Sequence, residues 1–311
     1  MDDATARTTL RAWWTAARVH TLPAGASPVV VGTAVAHADG VFSPLPALAA
    51  LVGALLIQVG TNFANDYADA VRGVDAPDRA GFTRVTAAGW LPPRRVLAGA
   101  IVAYAAAILL GAYLVYVGGV PIVVVGLSSV AFGFLYSGGP WPYGYRGLGD
   151  LFVFVYFGVV AVVGTYYVQA ADVIATPLAV APPPGTIAVE AVVASLAMGG
   201  LTTAILVVNN VRDLEEDAAA GKRTLAVILG RRWSRVEFVA LLVITYLVPV
   251  WFAVTAEAPS TVVVFATIPL AVRAARPVLR TTDGEALNRA LSAVDRLTLT
   301  YAVLFAAGVV L

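Results

Sequence analysis

Nine long runs of apolar residues, separated by short polar links, dominate the pattern along this 311-residue chain. A run of about 18 or more apolar residues with few charges is typical of a helix that crosses a membrane. The runs cover, roughly, residues 20–37, 46–65, 95–116, 119–137, 149–170, 187–209, 236–255, 258–277 and 290–311. Most links between them are too short to fold alone. We therefore predict one all-α domain over residues 1–311, a polytopic membrane bundle of about nine transmembrane helices.

The composition agrees with a membrane protein. Hydrophobic residues make up 59% of the chain and charged residues 13%, a balance that excludes an ordinary soluble domain of this size. Cysteine is absent, which excludes disulfides and thiolate metal sites. The first 18 residues are largely polar, so no cleavable signal peptide is expected.

The basic residues are confined to some of the links. All 20 lysines and arginines lie in the N-terminal segment, in residues 72–95, at position 146, in residues 212–235 and in residues 273–296. Basic loops mark the cytoplasmic side of a membrane protein. With nine spans, this predicts a cell-membrane protein with a cytoplasmic N-terminus, cytoplasmic loops at 66–94 and 210–235, and an external C-terminus.

Each of these two loops opens with an acidic motif that follows directly on an apolar run. The first motif contains Asn62, Asn65, Asp66, Tyr67 and Asp69, and the second contains Asn209, Arg212, Asp213 and Asp217. If the helices continue, Asn62, Asp66 and Asp69 lie at i, i+4 and i+7, and Asn209, Asp213 and Asp217 lie at i, i+4 and i+8. Both spacings place the side chains on one helix face.

Four carboxylates facing one cavity predict bound divalent cations. Left unpaired, the charges would repel one another and shift towards the neutral form. Oxygen ligands select hard cations, and magnesium typically takes one or two carboxylates together with substrate phosphates. Arg72, Arg212, Lys222 and Arg223 lie close by in sequence and are placed to neutralise a departing pyrophosphate. A charged head group at the membrane edge, with an apolar bundle behind it, indicates a prenyl diphosphate.

Several longer motifs resemble the UbiA-type intramembrane prenyltransferases. They are Ala17-Arg18 with Thr21-Leu22-Pro23, Pro28 to Thr33, Asn65 to Asp75, Arg79 to Gly89, Gly138 to Asp150, and Asn209 to Gly230. The stretch Gly221-Lys-Arg-Thr-Leu-Ala-Val resembles the branch that prenylates 1,4-dihydroxy-2-naphthoate. One departure is Val19-His20, where the family commonly has an Arg-Pro pair, although Arg18 is retained.

The resemblance implies a nine-helix, magnesium-dependent enzyme of menaquinone biosynthesis. Such an enzyme transfers a polyprenyl group from a polyprenyl diphosphate to 1,4-dihydroxy-2-naphthoate with decarboxylation, giving demethylmenaquinone. Its partners are these two substrates and membrane lipid, and no nucleic acid is expected.

The resemblance also assigns roles by motif position. Asp66 and Asp69 would serve one magnesium ion, and Asp213 and Asp217 a second. Lys222, Arg72 and Arg146 are the candidates for diphosphate contact, while Asn62 and Asn209 would orient the cluster. The remaining candidates for substrate binding are Asn65, Tyr67, Arg212 and Arg18.

Two other functions stay open at the level of sequence. A transporter also carries intramembrane carboxylates, although carriers usually bind near the membrane midplane rather than at one face. A prenyltransferase of the same type with another acceptor, such as 4-hydroxybenzoate, a glycerol phosphate lipid precursor or a chlorin, is the nearer alternative.

Several charged residues also have a simpler interpretation. Asp75, Asp78, Glu215 and Glu216 are expected to be solvated boundary residues, and His20 a boundary histidine. Arg79 and Arg84 either set the topology or have a role in the site. Asp295 and Arg296 are expected to form a local ion pair with the arginine reaching towards the interface, with a substrate role as the alternative.

Overall fold

The computed structural model describes residues 3–73 and 83–311 of the chain, which fold into a bundle of helices. The expectations for Asp75, Asp78 and Arg79 lie outside the described residues. The helices are α1 (Asp3–Ala17), α2 (Leu22–Ala38), α3 (Pro44–Val71), α4 (Pro93–Gly118), α5 (Val120–Leu135), α6 (Gly149–Val153), α7 (Ala161–Ile174), α8 (Val189–Arg212), α9 (Leu214–Ala219), α10 (Leu225–Thr255), α11 (Ile268–Arg280) and α12 (Gly284–Val310). A π-helical segment, Phe154–Val160, joins α6 to α7, and a 3-10 segment, Pro259–Thr267, leads into α11.

The predicted set of spans is confirmed. Within the described residues, eight helical segments are long and apolar enough to cross a membrane, and α5 forms a shorter ninth apolar helix. The helix α3 extends to Val71, beyond the end of its apolar run at residue 65, so the whole first acidic motif is helical. The helix α10 begins at Leu225, before the predicted run, and bends at Gly230, whose φ of 76° lies outside the helical region.

The links follow from residues that start or stop helices. Proline occupies the first turn of α3, α4 and α5, where its missing N–H costs no helical hydrogen bond. The single residue Gly119, at φ 70°, separates α4 from α5, so these two helices run antiparallel as neighbours.

The helix α8 occupies the centre of the bundle. It packs against α2, α10, α12 and the π-helical segment, and its residues Ala194, Met198 and Leu201 are fully buried. Because α8 ends at the second acidic motif, its packing fixes the position of that motif.

Two glycines, Gly158 and Gly199, let the π-helical segment approach α8 closely. A methyl group added at Gly158 would lie 2.6 Å from the Cα of Gly199 and 2.9 Å from the carbonyl oxygen of Ser195. Small residues let helix backbones approach this closely inside a membrane.

We therefore expect Gly158→Ala to destabilise the bundle by about 1–3 kcal/mol, because the new methyl group meets backbone atoms that must move. The matched control is Gly164→Ala in the same span, where an added methyl group meets nothing within 4 Å. Thermal unfolding of the purified protein in detergent measures both. Equal melting temperatures for the two variants would contradict the close approach.

Candidate active site

A cavity of about 710 Å³ runs through the interior of the bundle. Its charged end is lined by Asp69, Asp213, Asp217, Lys222, Arg84 and Arg18. Its other end is lined by apolar side chains, among them Leu114 and Val115 of α4, Ile122 and Val123 of α5, and Val168 of α7. This shape and polarity suit an amphiphile with an anionic head and a long apolar tail.

Lys222 joins the two acidic motifs. Its Nζ lies 3.6 Å from Oδ2 of Asp69 and 3.9 Å from Oδ1 of Asp217. The backbone N–H of Lys222 also donates to the carbonyl of Asp217 at 2.8 Å, in a turn that Gly221 permits with a φ of 75°. The ends of α3 and α9 therefore meet at one buried ammonium group.

Asp69 has two further partners in addition to Lys222. The hydroxyl of Tyr145 donates to its Oδ1, and Nη2 of Arg84 lies 3.3 Å from its Oδ2. Burial, followed by the charge of Asp69, raises the pKa of Tyr145 above its usual range. Tyr145 therefore remains a hydrogen-bond donor at physiological pH.

Asp213 is paired with its neighbour in sequence. Arg212 binds it through two hydrogen bonds, Nε to Oδ1 at 2.6 Å and Nη2 to Oδ2 at 2.7 Å. The same guanidinium group donates to the side-chain oxygens of Asn209 at 2.7 Å and of Asn288 at 2.8 Å. This network ties the end of α8 to the start of α12.

The second motif is not one continuous helix. The helix α8 ends at Arg212, and α9 begins at Leu214. Backbone hydrogen bonds nevertheless run from the N–H of Asp213 to the carbonyl of Asn209 and from the N–H of Asp217 to the carbonyl of Asp213. The predicted shared face is kept through the bend, so that Asp213 and Asp217 both line the cavity.

Asp66 differs from Asp69, Asp213 and Asp217 because it does not line the cavity. Its oxygens accept hydrogen bonds from the backbone N–H groups of Val85, at 3.2 Å, and Thr86, at 3.4 Å, and it is not among the cavity-lining residues. These bonds hold residues 83–91 against α3. They thereby bring Arg84 to Asp69.

Asn62 holds the turn that precedes α2. Its Nδ2 donates to the carbonyl of Ala17 at 2.9 Å and to Oγ1 of Thr21 at 3.3 Å. Between these two residues, Arg18 has a φ of 49°, a conformation uncommon for a residue with a side chain. Asn62 therefore supports the turn that places Arg18 in the cavity wall.

Five predicted site residues do not line the cavity: Asp66 and Arg212, described above, and Arg72, Arg146 and Tyr67. Arg72 donates to the carbonyls of Ser137 and Gly139, and so fixes the loop after α5. Arg146 is exposed and lies 5.0 Å from the centre of the Trp141 ring. Tyr67 packs in an apolar cluster under α1, beside Phe63 and Val85.

Two residues of the site did not stand out in the sequence. The sequence does not decide whether Arg84 sets the topology or acts in the site, and Tyr145 lies in a Gly/Pro-rich turn beside the more conspicuous Arg146. The useful signal was that the basic loop after the first motif must fold back onto that motif. Spacing alone does not show which of its arginines reaches the acids.

The side-chain oxygens at the charged end of the cavity suit a metal ion that is also bound by a substrate phosphate. Among the described residues, no group of three or more histidine or acidic side chains is arranged to hold a metal ion alone. The side-chain oxygen of Asn65 is buried without a hydrogen-bond partner and lines the cavity with Asp69 and Asp217. Amide and carboxylate oxygens are ligands for magnesium, which commonly completes its shell with substrate phosphates. The residues present therefore fit such an ion.

The fold and the cavity define a helical membrane protein whose interior cavity is charged at one end and apolar at the other. Residues 26–306 match the UbiA prenyltransferase family, and the chain belongs to that family.

Its relatives include 1,4-dihydroxy-2-naphthoate octaprenyltransferase of Mycobacterium tuberculosis, which is 40% identical over 266 residues that cover 86% of this chain and 85% of the relative. The structure of a UbiA homologue from Aeropyrum pernix superposes with a TM-score of 0.68 at 15% identity, covering 93% of this chain and 96% of that one. A UbiA homologue from Archaeoglobus fulgidus, bound to DMAPP and Mg2+, superposes with a TM-score of 0.57 at 16% identity, covering 94% and 98% of the two chains.

We expect Arg84→Gln to lower prenyl transfer by about tenfold or more, because it removes a cation that contacts Asp69 in the cavity wall. Arg95→Gln is the matched control, since Arg95 is exposed at the start of α4. Initial rates of the two purified variants, measured at saturating acceptor, decide the matter. Equal rates would show that Arg84 only sets the topology.

Proposed function

We propose that the protein transfers a polyprenyl group from a polyprenyl diphosphate to 1,4-dihydroxy-2-naphthoate, with loss of carbon dioxide. The product would be a demethylmenaquinol, the reduced form of demethylmenaquinone, because both ring hydroxyls are kept when carbon dioxide leaves. The observation that carries this proposal is the bridge of Lys222 between Asp69 and Asp217 at the head of a deep apolar cavity. The relatives that carry the name of this activity support the choice of acceptor.

The charged end of the cavity would bind the diphosphate. Asn65 and Asp69 of the first motif, with Asp213 and Asp217 of the second, would hold two magnesium ions. When bound, these ions would offset charge on the phosphate oxygens and so favour departure of the diphosphate. Asp66 would have a structural role, because it accepts hydrogen bonds from the backbone of Val85 and Thr86 and so supports the loop that carries Arg84.

Three cationic side chains line the cavity beside the acids: Lys222, Arg84 and Arg18. The C–O bond of the allylic diphosphate breaks, and its electron pair leaves with the diphosphate. Fixed cations in a site with little water stabilise that developing charge without reorganising. Tyr145, as a donor beside Asp69, keeps that carboxylate oriented during the step.

The apolar part of the cavity protects the allylic cation. Aromatic side chains in its wall, including Tyr136, Tyr143, Phe152 and Tyr156, can face the cation and exclude water that would quench it. The ring carbon that bears the carboxylate forms the new C–C bond. Loss of carbon dioxide then returns the electron pair of the broken C–C bond to the ring.

The orientation of the chain follows from its charges. The basic links, with both acidic motifs, would face the cytoplasm, and the N-terminus would lie on the same side. With nine spans, the C-terminus would lie outside. The acceptor and the diphosphate would therefore enter from the cytoplasmic leaflet.

A panel of acceptors tests the reaction. The purified protein, given magnesium, a polyprenyl diphosphate and 1,4-dihydroxy-2-naphthoate, is expected to release pyrophosphate and carbon dioxide and to form a product of the prenylated, decarboxylated mass. The panel also contains 4-hydroxybenzoate, a glycerol phosphate and a chlorin. A higher kcat/KM for one of these compounds would overturn the assignment of 1,4-dihydroxy-2-naphthoate as the acceptor. Movement of a substrate across proteoliposomes without product would indicate a carrier.

Removal of the metal and substitution of one acid test the head-group site. We expect EDTA to abolish turnover and added magnesium to restore it, because the acids and the diphosphate repel one another without a cation. Asp217→Asn should lower kcat/KM by about 100-fold or more, since it removes a ligand needed in the transition state. Glu216→Gln, at an exposed neighbouring position, is the control. Full activity in EDTA, or equal rates for the two variants, would contradict the assignment.

A further inference from the structure

Asp295 is a buried carboxylate to which the reaction described above gives no role. Its residue is 8% exposed, it lies on α12, and it lines the cavity together with Leu291. Its Oδ1 is buried without a hydrogen-bond partner. A buried carboxylate oxygen without a partner is costly, so a residue of this kind inside a membrane protein indicates a function.

The expected ion pair with Arg296 does not account for this residue. Arg296 is exposed, whereas Asp295 is buried, and within the described part of the chain no ion pair joins the two residues. Asp295 therefore faces the cavity, and its carboxylate has no ion pair with any residue that the structure describes.

The position of Asp295 along the bundle separates it from the head-group site. Asn288, seven residues earlier on α12, accepts a hydrogen bond from Arg212 at the level of the second acidic motif. Seven residues of α-helix rise about 10 Å and return to the same face. Asp295 therefore lies about two turns deeper in the cavity than the charged end.

Gln58 on α3 has the corresponding position in the first half of the chain. It precedes Asn65 by seven residues, is 8% exposed and lines the same cavity. Its Nε2 donates to Thr21 at 3.2 Å, whereas its Oε1 is buried without a partner. Two helices thus each present one unpaired acceptor oxygen, about two turns below the acidic motifs.

The chemistry of these two oxygens selects a class of ligand. The amide oxygen of Gln58 can only accept hydrogen bonds, and the same holds for the oxygens of Asp295 when its carboxylate is ionised. The complementary ligand must therefore carry hydrogen-bond donors. A prenyl tail has none, and a diphosphate is itself an acceptor. A dihydroxylated aromatic ring offers two hydroxyl donors on a flat apolar body that suits the surrounding side chains.

Building on the function proposed above, we propose that Asp295 and Gln58 form the binding site for the ring hydroxyls of the aromatic acceptor. Each oxygen accepts one hydroxyl, which holds the ring below the diphosphate with its reactive carbon towards the allylic end. The hydrogen bond to Asp295 also raises the electron density of the ring and favours its attack. No proton has to leave the hydroxyl, because loss of carbon dioxide supplies the electron pair that restores the ring.

Asp295→Asn provides the direct test because the amide keeps the size of the side chain. We expect kcat/KM for the dihydroxynaphthoate to fall by about tenfold or more, while KM for the polyprenyl diphosphate changes by less than about twofold. An acceptor in which one hydroxyl is methylated separates binding from folding. The wild type should prefer the dihydroxy acid over this methyl ether, and the variant should lose part of that preference. Arg296→Gln, on the exposed face of the same helix, should behave as wild type.

The same prediction holds for Gln58→Leu, which covers the case in which Asp295→Asn fails to fold. Calorimetric titration of the acceptor into each variant requires no turnover and reports the acceptor Kd. Unchanged Kd and unchanged preference in the folded variants would overturn the inference, even if the wild type makes the expected product.

The outcomes also distinguish this inference from the proposed function. If the wild type prenylates a different hydroxylated arene, the proposed function fails, and the two variants are judged on that acceptor. If the wild type binds the dihydroxy acid without turnover, the Kd values decide the inference alone. If it binds no hydroxylated arene, both proposals fail.

Discussion

The neutralisation of buried carboxylates is the constraint on which the site depends. Buried acids at the ends of two apolar helices are costly unless each has a partner. Lys222 lies between Asp69 and Asp217, and Arg212 chelates Asp213 through two hydrogen bonds. These pairs bring the ends of α3, α8 and α9 together. Lys222 also lines the cavity, where a substrate would bring further negative charge.

The four carboxylates of the two motifs have different roles. Asp69, Asp213 and Asp217 all line the cavity, but Asp69 and Asp217 share a lysine, whereas Asp213 binds Arg212 in a network that reaches Asn288 on α12. Asp66 binds backbone N–H groups and holds the loop that carries Arg84. A charged cavity wall of this kind is therefore built from supporting bonds as much as from groups that contact a ligand.

The sequence was sufficient to predict the spans and the two acidic motifs, because hydrophobic length and helical spacing are local properties. It was insufficient for the basic side of the site. The sequence favours Arg72 and Arg146 over Arg84 for contact with the diphosphate, yet Arg72 binds the carbonyls of Ser137 and Gly139 and Arg146 lies over Trp141 on the surface. Which arginine reaches an acid depends on how a loop folds back. That is a long-range property, which also explains why Tyr145 was overlooked.

The account rests on one shared head-group site, and the non-additivity of two substitutions tests this most directly. The measurement is the affinity for a non-reacting polyprenyl diphosphate analogue with magnesium, titrated into Asp69→Asn, Asp217→Asn and the double variant. A shared site predicts that each single change removes most of the affinity and that the double change is little worse. Independent losses that multiply in the double variant, or full affinity in either single variant, would contradict it.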